Sequence, residues 1–167
     1  MNIILTGFMA CGKSTVGKAL SELCGMKYID TDSFIEREQK MEISDIFADF
    51  GEEYFRNLEC EAAKALSGQD NAVISTGGGF VLNKENINVL RKNGIVVNLN
   101  TDFDIIMRRL KNNAGGRPLA RDEKELAELY EKRKPFYAEC DVRIDIEQET
   151  DAVKIAEEIR KLTGGKI

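Results

Sequence analysis

The chain has 167 residues, with 24 Lys and Arg against 29 Asp and Glu, for a net charge of -5. Its apolar share of 43% and charged share of 32% describe one ordinary globular domain, 1-167, able to bury a sizeable core. The acidic balance excludes a general affinity for nucleic acid or anionic membrane, which needs a basic surface, so any anion site must be a local gathering of donors.

In chain order, Asn2-Ile3-Ile4-Leu5-Thr6 is a short apolar run ending at Gly7 and reads as a buried parallel strand. Val16, Ala19, Leu20 and Leu23 recur at helical spacing from Lys13 to Leu23, with Gly25 as the stop. Lys27 to Asp30 is a second strand. Ser33 to Gly68 is polar and helical in pattern, broken near Lys40-Met41 and Phe50-Gly51. Ala72-Val73-Ile74-Ser75 is a third strand running into Gly77-Gly78-Gly79, Lys84 to Lys92 a helix, and Ile95 to Leu99 a fourth strand. Asp102 to Leu110 reads as a helix capped by Thr101. Asn112, Asn113, Gly115, Gly116 and Pro118 mark a mobile loop over Lys111 to Asp122. Glu123 to Tyr137 returns to helix, Val142 to Ile146 is a fifth strand, and Asp151 to Leu162 closes the chain as a helix. Alternating strands and helices predict an α/β fold, doubly wound, with a five-stranded, mainly parallel sheet between helical layers.

Gly7-Phe8-Met9-Ala10-Cys11-Gly12-Lys13-Ser14 matches the P-loop pattern G-x-x-x-x-G-K-S/T without a gap. Strand, loop and helix come in the required order. Backbone N–H groups can curl around a phosphate, and the helix presents its positive end to the same anion. Lys13 can reach the β- and γ-phosphates, and the Ser14 hydroxyl can ligate Mg²⁺. A P-loop also serves nucleotide sensors, so the motif alone leaves catalysis open.

Asp30-Thr31-Asp32 stands at the carboxyl end of the second strand, where open α/β sheets hold ligands. Two carboxylates there can divide labour between metal-bound water and an acceptor hydroxyl; the plainer alternative is that one caps the next helix. Arg56 and Arg133 lie in helices and together can clamp a carboxylate or a phosphate. The Gly77-Gly78-Gly79 run offers bare backbone to a substrate, and Arg117 in the loop can stabilise a transferring phosphoryl group. The chain contains no histidine, so proton transfer falls to carboxylates and catalysis leans on positioning and electrostatics. Cys11, Cys24, Cys60 and Cys140 are scattered without a C-x-x-C pair, which argues for reduced thiols and against zinc. No signal peptide or membrane-spanning run is present, so a cytoplasmic monomer is expected.

The ordered set GFMACGKST, DTD, FRNLE, TGGG, RPL and YEKRKPFY resembles the shikimate kinase family over nearly the whole chain. The resemblance implies transfer of the γ-phosphate of ATP to the 3-hydroxyl of shikimate, in aromatic amino-acid biosynthesis. It implies a fold like that of nucleoside monophosphate kinases, with a substrate-binding insert at about 32-68 and a lid at about 111-124. By motif position, Ala10, Cys11, Gly12, Lys13, Ser14 and Thr15 would bind ATP, with Arg109 stacking on adenine and Arg117 reaching the phosphates. Asp32 would hold the shikimate hydroxyls and take the 3-hydroxyl proton, and Asp30 would meet the water shell of magnesium. Arg56 and Arg133 would grip the carboxylate, while Gly78 and Gly79 would contact the ring hydroxyls. Ala10 departs from the family's glycine, and at positive φ it would cost about 1–2 kcal/mol. Ala120 replaces a customary leucine after Arg117-Pro118-Leu119, and the segment from Arg109 to Arg117 is one residue longer than usual. Gluconate-type and nucleoside monophosphate kinases share the P-loop and lid, and a non-catalytic ATP-binding module is the alternative from outside the enzymes.

Overall fold

A computed structural model describes residues 1–113 and 122–164. Among these, five strands form one parallel sheet: β1 (Asn2–Thr6), β2 (Lys27–Asp30), β3 (Ala72–Ser75), β4 (Gly94–Thr101) and β5 (Val142–Ile146). The order across the sheet is β2-β3-β1-β4-β5, so every neighbouring pair needs a crossover. Seven helices supply the crossovers and flanks: α1 (Lys13–Cys24), α2 (Thr31–Gln39), α3 (Ile43–Leu66), α4 (Lys84–Arg91), α5 (Phe103–Asn113), α6 (Glu123–Tyr137) and α7 (Ala152–Leu162). The α/β architecture and its parallel sheet are those read from the sequence.

The alternation of strand side chains sorts the core into two layers. Ile3 and Leu5 face Val16 and Leu20 of α1 and Ile155, Ala156 and Ile159 of α7. Ile4 and Ile74 point to the other face, against Ala63 and Leu66 of α3, Ile87 and Leu90 of α4, and Tyr137 of α6. Each such aliphatic side chain contributes roughly 1.5–3 kcal/mol when fully buried. Together the two layers clamp β1, so the loop after it leaves from a fully buried central strand.

A third cluster, Ile35, Ile46, Phe55, Leu58 and Ala62, joins α2 to α3. The break expected near Phe50-Gly51 occurs inside α3, where Gly51 has φ 81° and ψ 177°, a region closed to residues bearing a Cβ. Phe47 stacks on Phe55 across this break at 4.7 Å, and Phe50 on Tyr54 at 4.8 Å.

Two details differ from the reading of the sequence. Thr101 ends β4, and its hydroxyl donates to the Cys11 carbonyl at 3.1 Å, so it ties the sheet to the P-loop and does not cap a helix. Helix α5 continues to Asn113, into the stretch expected to be loop. Arg117 and most of the expected lid lie outside the described residues.

Candidate active site

Two groups of side chains meet at the carboxyl edge of the sheet. The first surrounds the loop from Gly7 to Gly12, between β1 and α1. The Lys13 ammonium folds back and donates to the Gly7 and Phe8 carbonyls, each at 2.8 Å, and lies 3.6 Å from Cys11 Sγ. Gly12 takes φ 106° as it enters α1, and Ala10 sits at φ 56°, so the alanine does occupy the left-handed conformation that disfavours it. A cavity of about 470 Å³ opens over this loop, lined by residues 10–16 together with Arg109, Asn112, Thr150, Ala152 and Ile155. Six of the residues expected at ATP, Ala10 through Thr15, line this one cavity, and Arg109 lines it with them.

Ser14 Oγ lies 3.5 Å from Asp30 Oδ2, which also accepts from the Tyr28 hydroxyl at 3.3 Å. The other Asp30 oxygen accepts from the Asp32 and Ser33 N–H groups and caps α2. Asp30 therefore caps α2, the plainer of the roles open to it, and also stands beside Ser14. Among the described residues no trio of His, Cys, Asp or Glu is placed to hold a metal. One hydroxyl beside one carboxylate suits Mg²⁺, which keeps several waters and takes the rest of its shell from phosphate.

The second group is arranged around Gly77-Gly78-Gly79. A Cβ at Gly77 would lie 2.5 Å from Asp32 Oδ1, one at Gly78 would lie 3.8 Å from Arg133 Nη1, and one at Gly79 would lie 2.5 Å from Arg56 Nη1. The missing side chains thus make room for three charged groups that arrive from α2, α6 and α3. Gly78 also borders the P-loop, since its Cβ would stand 3.4 Å from the Met9 nitrogen. The two halves of the site are therefore contiguous.

Asp32 Oδ1 and Arg133 Nε are buried without a hydrogen-bond partner. Burial and the neighbouring Asp30 push the Asp32 carboxyl up to about 6, with Lys13 and Arg56 opposing the shift. Arg56 is held by Glu59 at 2.7 Å and Glu52 at 2.8 Å. Glu59 is only 1% exposed; burial raises its carboxyl, and the Arg56 bond counteracts this. The Tyr137 hydroxyl donates to the Gly78 carbonyl at 2.6 Å, and burial drives its phenol well above the usual range. Thr31 Oγ1 accepts from the Gly77 N–H at 2.9 Å.

Glu59 and Tyr137 escaped the reading of the sequence, although the spacing carries a trace of both. Glu59 is three residues after Arg56 and Tyr137 four after Arg133, offsets that place each pair on one helix face. A carboxylate of raised proton affinity and two guanidinium groups gathered at Gly77 to Gly79, next to the phosphate loop, are suited to phosphorylating a hydroxyl on an anionic molecule.

The shikimate kinase family model matches residues 9–163. The chain belongs to the shikimate kinase family. Among its curated relatives, the shikimate kinase of Persephonella marina is 44% identical over 146 residues, 87% of this chain and 89% of the relative. That of Sulfurihydrogenibium sp. is 42% identical over 158 residues, 95% of each chain. Among solved structures, shikimate kinase from Acinetobacter baumannii in complex with shikimate superposes with a TM-score of 0.87 at 34% identity, covering 99% of this chain and 94% of that one. Family membership agrees with the P-loop, the Asp30–Asp32 pair and the glycine-centred cluster described above.

Proposed function

We propose that the protein transfers the γ-phosphate of ATP to the 3-hydroxyl of shikimate, giving shikimate 3-phosphate and ADP, within aromatic amino-acid biosynthesis. The observation that carries this reading is the convergence of Asp32, Arg133 and Arg56 on three successive glycines beside the phosphate loop. ATP binds along residues 10–15 with its base toward Arg109. Lys13 leaves its two loop carbonyls for the β- and γ-phosphates. Ser14 directly, and Asp30 through water, would hold magnesium, which would neutralise charge on the phosphates.

Arg56 and Arg133 pair with the substrate carboxylate, and the Gly78–Gly79 backbone meets its ring hydroxyls. Asp32, left with an unpartnered oxygen, accepts a hydrogen bond from the 3-hydroxyl and takes its proton as the oxygen bonds to the γ-phosphorus. The bond from that phosphorus to the ADP oxygen breaks in the same displacement. Arg117, whose role rests on the family pattern alone, supports charge on the phosphoryl group. The insert at about 32-68 carries Arg56, and the lid at about 111-124 carries Arg117, within a single domain 1-167. The protein works as a cytoplasmic monomer on small molecules, and none of its described helices is long and apolar enough to cross a membrane.

An assay coupled to ADP release tests the acceptor across shikimate, gluconate and the common nucleoside monophosphates. Turnover with shikimate, at least about a hundredfold above the others in kcat/KM, is expected, because an unpaired buried polar group disfavours an analogue that fails to satisfy it. Turnover confined to a nucleotide or sugar-acid acceptor overturns the substrate. ATP binding without turnover on any acceptor reduces the protein to a nucleotide-binding module.

A further inference from the structure

The nucleotide cavity has a wall that neither the P-loop nor the substrate cluster explains. Arg109, on α5, uses both edges of its planar guanidinium. One edge donates to Glu149, Nε to Oε1 at 3.3 Å and Nη2 to Oε2 at 2.7 Å. Nη1 donates from the other edge to the Ala10 carbonyl at 3.3 Å and the Cys11 carbonyl at 3.0 Å. Bonds along both edges restrain the guanidinium from rotating, and Arg109 lines the nucleotide cavity.

This placement is electrostatically unfavourable without help. Arg109 Nη1 would lie 3.2 Å from a Cβ at Gly12, the residue that caps α1 at its N-terminus. A cation there faces the positive end of a helix. Two loop carbonyls alone must then hold it, and one belongs to Ala10, whose φ of 56° already disfavours the loop conformation. Glu149 supplies the compensating charge from the β5–α7 connection. Its neighbour Thr150 lines the same cavity and is turned back by a bond from its hydroxyl to the Gln148 carbonyl at 3.0 Å.

We infer that Glu149 is a positioning residue for the nucleotide: it fixes the Arg109 guanidinium as a flat platform for the adenine ring and, through Arg109, keeps the Ala10–Cys11 carbonyls in the phosphate-binding conformation. The inference deepens the assignment of this cavity to ATP and rests on it. An exposed ion pair contributes little to folding stability, so the effect belongs in binding. Arg109 is 22% and Glu149 50% exposed, which leaves the pair accessible to an incoming base.

The test compares wild type, Glu149→Ala and Glu149→Gln by calorimetric titration with ADP and by steady-state kinetics. Losing the anchor means immobilising one rotamer-rich side chain on each binding event, which weakens ADP and raises the KM for ATP about three- to tenfold. The shikimate KM, kcat and Tm stay within twofold or 2 °C, roughly the scatter of a neutral surface substitution. Glu149→Gln keeps the reach without the charge and falls between wild type and Glu149→Ala. In an Arg109→Ala background the Glu149 substitutions lose their effect, because they act through that side chain. Unchanged ADP affinity in Glu149→Ala, an equal rise in the shikimate KM, or a full effect without Arg109 each overturns the inference. The ADP titration reads the platform without turnover, so failure of the shikimate assignment shows in the kinetics alone.

Discussion

At the nucleotide end the charged groups already have partners. Lys13 is held by two carbonyls, Arg109 by two more and by Glu149, and Thr101 ties Cys11 to the sheet. At the acceptor end, a few ångströms away across Gly78, Asp32 Oδ1 and Arg133 Nε are buried with none. The nucleotide end holds its cations by internal bonds that can be exchanged for phosphate bonds. The acceptor end holds buried polar atoms without a protein partner, which a ligand of matching polarity can satisfy.

The sharpest way to break this contrast is Asp32→Asn. Loss of the base is expected to lower kcat by about 10²–10⁴-fold while ADP binding, read by calorimetry, is retained. In the wild type, kcat/KM for shikimate should climb as pH rises through about 6, where Asp32 ionises. Stability moves the other way. A carboxyl raised from 3.8 to about 6 favours the fold most below pH 4, and that contribution fades as pH rises through 6. Asparagine is neutral throughout, so Asp32→Asn should melt about 2–4 °C above wild type at pH 8 for each kcal/mol recovered, and level with it near pH 4. Equal melting at pH 8 would show that Asp32 carries no desolvation strain.

Arg133→Ala tests the same end with a smaller effect. The shikimate KM should rise about 10- to 100-fold, the value of a hydrogen bond to a charged group in a buried site, with the ATP KM within twofold. An equal rise for both substrates would mean that the two ends are not independent. The smallest effect belongs to the nucleotide end, at Ala10→Gly. Relief of the left-handed alanine should stabilise the fold by at most about 1 kcal/mol, seen as a Tm increase of about 2–4 °C. A lower Tm would mean that the extra freedom of glycine in the unfolded chain outweighs the strain.

The two ends also differ in how far they could be read from the chain. The P-loop is contiguous, so its chemistry is written in one run; apolar periodicity marked the strands, Gly25 stops α1, and Gly51 kinks α3. The acceptor cluster draws Asp32, Arg56, Gly77 to Gly79 and Arg133 from four separate segments. The residues are visible, but their meeting depends on the sheet order and needed the family pattern to be seen. Glu59, Tyr137 and Glu149 were missed because each bonds to another part of the protein: Glu59 to Arg56, Tyr137 to the Gly78 carbonyl and Glu149 to Arg109. Acidic and aromatic residues on helices or in a loop look like solvated surface until their partner is in place. The φ of Ala10 was equally hidden, since a backbone dihedral follows from the whole loop and not from one residue type.

The interruption of α3 at Gly51 resembles a weak point in the longest helix. The ring pairs Phe47–Phe55 and Phe50–Tyr54 bridge that interruption, each linking a residue before the glycine to one after it. Swivelling there would unstack both pairs, at about 0.5–1.5 kcal/mol apiece. The glycine consequently sets an elbow and the aromatic rings brace it. Helices α2 and α3 can then carry Arg56 to the acceptor as one stiff bracket, with any travel taken up where the bracket joins the sheet.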